Sequence, residues 1–154
     1  MEGTKKISLF ILRIATGWLM FYAGITKILD PEWSAIGYLE HAKTFPDFFL
    51  WFLQPSVLPL TNFINEWGLT LLGISLLLGA AVRLSSILGL FLMLLYYLPV
   101  LEFPYIAPYY YIVDDHLIYA LVLAVLAAFQ AGRYWGLDSF LPRKKKKSWR
   151  NWIG

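Results

Sequence analysis

Apolar residues gather into four stretches, each long enough to cross a hydrocarbon core, a distance that takes about 20 residues of helix. The first, 7–29 (ISLFILRIATGWLMFYAGITKIL), is broken only by Arg13 and Lys27. The second, 58–82, has its apolar heart in WGLTLLGISLLLGAAV and carries Glu66 near its start; the third is 84–101 and the fourth 116–132. None shows the ten-residue alternation of a barrel strand. The pattern predicts an all-α fold: a polytopic membrane four-helix bundle filling 1–138, followed by a basic tail at 139–154.

The connections carry a second pattern. Between the first two spans, DPEWSAIGYLEHAKTFPDFFLWFLQP alternates short polar pieces with aromatic clusters and ends in FFLWFL at 48–53. Six apolar residues cannot span, so this piece is expected as a short helix lying in the membrane interface, a depth that Trp and Tyr favour. FPYIAPYYYIV at 103–113 is equally aromatic, and the two loops are expected to form a lid over one mouth of the bundle. The short link GAAVRLSS at 79–86 makes the second and third spans an antiparallel hairpin, and Pro99 is expected to kink the third. MEGTKK before an apolar run has the outline of a signal peptide, but the run is too long, contains Arg13 and precedes no small-x-small site, so it reads as a retained helix.

Composition agrees: 59% of residues are apolar, 18% aromatic and 15% charged, where soluble domains carry about a quarter charged residues. The net charge of +3 conceals an asymmetry. If the spans alternate, Lys5, Lys6, Arg83, Arg133 and the tail with Arg143 to Lys147 and Arg150 share one side. The other side receives Asp30, Glu32, Glu40, Asp47, Glu66, Glu102, Asp114 and Asp115 against only Lys27 and Lys43. The positive-inside rule then puts both termini in the cytoplasm, in a multi-pass protein of the plasma (inner) membrane. RKKKK at 143–147 beside a last span reads as a contact with anionic lipid headgroups rather than with nucleic acid. The absence of cysteine removes disulfides, thiolate metal sites and in-chain thiol relays.

Faces follow from packing, because in lipid small residues decide which surfaces meet. Arg13, Gly17, Met20, Gly24 and Lys27 are spaced 4, 3, 4 and 3, one stripe along the first helix. Ala120, Ala124, Ala127 and Ala131 repeat similarly beyond His116, and Glu66, Gly73 and Ala80 lie seven apart. The ionisable residues thus share faces with the small ones and are expected to point inward. Two structural alternatives stand beside this. Asp114 or Asp115 can cap a helix N-terminus, and Lys27 and Arg13, each near a helix end, can snorkel to headgroups.

Lys27, Glu66, Asp115, His116 and Tyr119 are expected in the outer third of the bilayer, with Tyr119 within one helical turn of both Asp115 and His116. Such charges in a membrane are functional hypotheses by default. A mouth offering an ammonium, carboxylates, an imidazole and phenols suits a neutral dicarbonyl ring. Quinone reduction takes up protons, so its oxygens need donors and a group that passes protons. Two histidines, His41 and His116, are the only imidazoles for haem or metal, and no ligand spacing surrounds them, so no metal is expected. Nucleotide, zinc-protease and serine-hydrolase motifs are absent.

RIATGWLMFYAGITKILDP, EWGLTLLGISLLLGAAVRLSS and VDDHLIYALVLAVLAAFQAGRYWGLD resemble the DoxX family of small four-helix membrane proteins, which includes the DoxD-like subunit of thiosulfate:quinone oxidoreductases. The likeness runs from about Leu12 to Asp138 and rests on Arg13, Gly17, Gly24, Lys27, Glu66, Gly68, Gly79, Arg83, Gly132, Arg133, Gly136 and Asp138. The resemblance implies transfer of electrons from a reduced sulfur compound such as thiosulfate to membrane quinone. By this carry-over Lys27, Glu66 and His116 contact the quinone or its protons and Arg13 and Arg83 suit an anion; beside the resemblance, Asp115 is a further catalytic candidate and Tyr22 and Tyr119 further binding ones. An acidic outer face repels a dianion within a Debye length of about 8 Å, and the chain has no thiol carrier. A quinone-holding subunit for a catalytic partner, or a homo-oligomer, is therefore expected. The alternative is a non-catalytic scaffold or lipid-binding protein whose charges only stabilise packing.

Overall fold

The long apolar stretches fold as helices α1 (Glu2–Ile28), α4 (Leu58–Leu78), α5 (Val82–Val100) and α6 (Asp115–Ala128), with two short helices, α2 (Ile36–Leu39) and α3 (Pro46–Trp51), in the connection after α1. The computed structural model describes residues 2–106 and 110–141; the basic run at 143–147 and positions 107–109 of the tyrosine-rich loop lie outside them. The structure is mostly helical, and two helices, α1 and α5, are long and apolar enough to cross a membrane.

Where the helices end differs from the sequence reading, and the backbone says why. Helix α4 stops at Leu78 because Gly79 takes a left-handed conformation (φ 69°) and turns its N–H back onto Leu76 and Ser75, the usual glycine stop. Helix α6 ends at Ala128, short of the expected 132, because Gln130 is left-handed (φ 48°) and the chain tightens into a 3₁₀ turn at Ala131–Arg133. Its 14 residues rise about 21 Å. Pro99 lies inside α5, one residue before its end. The tyrosine-rich loop is not purely irregular. Strands β1 (Leu101–Glu102), β2 (Tyr105–Ile106) and β3 (Tyr110–Tyr111) form a small antiparallel three-stranded meander in an otherwise mostly helical chain; Tyr and Ile are strand formers when a surface supports them.

Helix α1 lies along α4 and α5 along α6, while α4 and α5 touch more sparingly. The α1–α4 contact rests on absent side chains. A Cβ on Gly73 would stand 2.3 Å from the Phe21 nitrogen, and one on Gly24 would stand 2.4 Å from the Thr70 nitrogen. The small residues expected to face inward do so. Gly73→Ala is therefore expected to lower stability by about 1–3 kcal/mol, the cost of overpacking. Gly68→Ala, whose Cβ would meet nothing nearer than 3.9 Å, is expected to leave it unchanged; thermal unfolding in detergent compares the two.

Two apolar clusters result. Met20, Leu69, Leu72, Leu76, Leu123 and Leu126 form the interior between the long helices. Ala35, Leu39 and Phe49, backed by Trp33, Phe52 and Leu98, seat the α2–α3 segment against α5. This second cluster is the expected aromatic cover over one end.

At the opposite end, residues that were read as functional form a latch. Arg13 is completely buried; its Nη2 donates to the Tyr134 and Trp135 carbonyls at 3.3 and 3.2 Å, and its guanidinium lies 5.4 Å from the Phe10 ring centroid. Nη1 is walled by Gly79 and Gly136, where any Cβ would collide with it. Asp138 accepts from the Ala81 and Val82 N–H groups at 2.7 and 3.0 Å, so it caps α5 from more than fifty residues away, and its own N–H donates to Gly79. The Gly-Arg-x-x-Gly-Leu-Asp segment thus folds back over the α4–α5 turn.

Candidate functional site

Beneath the α2–α3 cover lies a cavity of about 450 Å³, walled by α1, α4, α5 and α6, within the range typical of ligand pockets. Its wall is mainly aliphatic and aromatic, including Met20, Leu69, Met93, Phe49 and Trp33, and it carries a small set of polar groups: Lys27, Ser34, Tyr38, Thr61, Asn65, Tyr96, His116 and Tyr119.

The polar groups fall into three units. Lys27 is in the last turn of α1, its ammonium 4.7 Å from the Trp33 ring centroid; among the described residues it has no carboxylate partner. A cation stacked on indole is held in place, yet its N–H donors stay available.

The second unit is Asp114 with His116. Asp114 has the extended backbone of an N-cap and accepts from Leu117 N–H at 3.0 Å, while its other oxygen lies 2.6 Å from His116 Nδ1. A carboxylate only accepts, so Nδ1 carries the proton and Nε2 is left for the cavity. Asp114 is buried. The capping reading of Asp114 holds, and the same carboxyl also orients the imidazole.

The third unit is a chain of hydrogen bonds across the back wall. The Tyr38 hydroxyl donates to the Tyr96 carbonyl and the Tyr96 hydroxyl to Asn65 Oδ1; Asn65 Nδ2 donates to the Thr61 carbonyl at 2.7 Å. Burial, with the charge of Asp114 adding, pushes the Tyr38 phenol well above its ordinary range, so it remains a neutral donor. Tyr96 also packs against the His116 ring, centroids 5.6 Å apart, which joins the second unit to the third.

The structure therefore places Lys27 on α1 and His116 and Tyr119 on α6 in the lining of one cavity. The other sequence candidates lie elsewhere. Glu66 is half-buried on the α1-facing side of α4, its carbonyl accepting from the Thr70 hydroxyl at 2.7 Å, and Asp115 is exposed in the first turn of α6. Tyr22 is exposed on the outside of α1, stacked near Trp18. Arg83 is in the first turn of α5, whereas the cavity residues of α5 begin at Leu92. Arg13 is locked in the latch. His41 is exposed beside Glu40, and among the described residues no group of three potential metal ligands occurs.

Sequence reasoning passed over Asn65, Tyr38, Tyr96 and Trp33. One signal was there for Asn65: Thr61, Asn65, Leu69, Leu72 and Leu76 share one helical stripe, all buried, and Glu66 lies off it. The tyrosines gave none, because Tyr38 and Tyr96 are 58 residues apart.

The family model described as DoxX matches residues 8–101. This covers α1 to α5 and most of the cavity wall, while Asp114, His116, Tyr119 and the 132–138 segment lie beyond it. No curated protein and no solved structure matches the chain.

Proposed function

The chain belongs to the DoxX family, and from that premise we propose that it is a membrane subunit of a quinone-linked oxidoreductase that holds a quinone headgroup in the cavity under α2 and α3. The observation that carries this reading is that an ammonium without a carboxylate partner among the described residues, Lys27, and a carboxylate-oriented imidazole, His116, line one apolar cavity. A neutral dicarbonyl ring needs donors at its oxygens, flat apolar walls and a route for protons. Lys27 is a charge-assisted donor. His116 takes or gives a proton at Nε2 while Asp114 holds Nδ1. Tyr119 is a further donor on the same helix face as His116, and Trp33, Phe49 and Phe52 give ring contacts.

In this reading α4 and α6 join α1 and α5 as the four spans, both termini are cytoplasmic in the plasma membrane, and the cavity opens near the outer face. The family resemblance supplies the coupled half-reaction, oxidation of a compound such as thiosulfate. With no cysteine in the chain, a catalytic partner subunit would carry that step.

Trp33 and Trp51 line the cavity, so titration of the detergent-solubilised protein with a short-chain benzoquinone should quench tryptophan fluorescence saturably. Lys27→Met is expected to raise the apparent Kd about tenfold or more, the loss of one hydrogen bond to a charged donor. A quench that never saturates in the unsubstituted protein would remove the quinone and leave a lipid-binding scaffold.

A further inference from the structure

The cavity is graded in polarity in a direction that says where its ligand comes from. None of its polar lining groups is exposed. The exposed lining residues are all apolar: Leu19, Trp51, Leu60, Ile64 and Leu95. A site that fills from water ordinarily carries polar groups at its rim, and this rim is hydrocarbon.

Three of the five rim residues lie along the seam between α4 and α5. These helices are tied near their shared turn by the Ser75–Ser85 hydroxyl bond of 2.7 Å. Farther along, a Cβ on Gly68 would meet Leu92 at 3.9 Å, ordinary contact, so the helices still touch there. Beyond that, Leu60 and Ile64 on α4 are 58% and 48% exposed and Leu95 on α5 is 40% exposed. Leu60, Ile64 and Gly68 follow at intervals of four, one stripe of α4, so the seam opens into a groove continuous with the cavity. Helix α5 is long and apolar enough to cross a membrane, and in the proposed topology that groove faces lipid chains.

Resting on the quinone reading, we infer that the ligand is lipid-anchored, its hydrocarbon tail leaving the cavity sideways through the α4–α5 groove over Leu60, Ile64 and Leu95, and that it enters from the bilayer rather than from water. The ring meets Lys27 and His116 inside while the tail stays in an environment as apolar as the membrane. Entry then requires no passage of the tail through the α2–α3 cover.

The test uses one benzoquinone ring in two forms, with a decyl chain and with a methyl group in its place. Ile64→Phe narrows the groove without touching the polar groups and adds no tryptophan to the fluorescence signal. It is expected to raise the Kd of the decyl form about tenfold while changing that of the methyl form by less than about twofold. Leu60→Phe, at the more exposed position, is expected to act in the same sense and replaces Ile64→Phe if that variant unfolds at a lower temperature. An equal change for both forms, or no change for either form in both variants, overturns the lateral groove while leaving the headgroup site. Failure of both forms to bind the unsubstituted protein overturns the quinone reading and the groove with it.

Discussion

Asp138→Ala is expected to destabilise the fold by about 3–5 kcal/mol, the range for removing one partner from a buried charged arrangement. The side chain is 2% exposed and holds two N–H groups at the start of α5, which the helix itself cannot satisfy. Its charge also acts on Arg13, whose Nε and Nη1 already lack acceptors among the described residues. Taking the carboxylate away leaves both N–H groups without their acceptor and removes the neighbouring negative charge from a buried guanidinium that keeps only its two carbonyls. Asp138→Asn keeps one acceptor oxygen and is expected to fall between, about 1–3 kcal/mol. Glu102→Ala, at an exposed position, is expected to stay within about 0.5 kcal/mol. Thermal or denaturant unfolding in detergent ranks the three; an Asp138→Ala protein as stable as the Glu102→Ala one would dissolve the latch.

A loss of binding comparable to that at Lys27 is expected at Asp114, and a pair of substitutions separates its two duties. Asp114→Ala removes both the cap, about 1 kcal/mol of stability, and the acceptor that orients His116. Asp114→Ser keeps a good cap but no carboxylate to hold the imidazole. Both are expected to weaken binding of a short-chain benzoquinone by about tenfold, one hydrogen bond through His116, while only the alanine variant loses stability. Unfolding midpoints and fluorescence titrations of the two variants read these effects independently. If Asp114→Ser binds quinone as the unsubstituted protein does, the carboxyl is a helix cap and nothing more.

What the sequence disclosed depended on the range of the interaction. Apolar length and glycine spacing are local, so the helices and the inward stripe from Arg13 to Lys27 could be read directly. The latch could not, since Asp138 caps a helix that begins at Val82 and Arg13 meets carbonyls 121 and 122 residues away. Charge drew attention to Arg13, Glu66 and Arg83, all of them off the cavity wall, because an ionisable group in an apolar segment signals expense without saying whether a ligand or a backbone carbonyl offsets it. Neutral Asn65 and the tyrosines were overlooked for the complementary reason: an amide or a phenol costs little in a sequence pattern and shows its use only when tertiary contacts assemble a hydrogen-bond chain. The Gly-Arg-x-x-Gly-Leu-Asp segment, which lies beyond the residues that the family model matches, belongs to the end of the fold away from the cavity. The motif speaks for architecture rather than chemistry.

The separation between Arg13 and its carbonyl acceptors sets a schedule for biogenesis. Translation adds roughly 5–20 residues per second, so in the proposed membrane topology a helix carrying Arg13 waits on the order of ten seconds before Tyr134 and Trp135 exist. During that interval the guanidinium must be tended by water, a lipid phosphate or an insertion factor. A ribosome stalled before residue 138 would leave a chain with its helices made and its first arginine orphaned, the kind of half-built product that membrane quality control recognises.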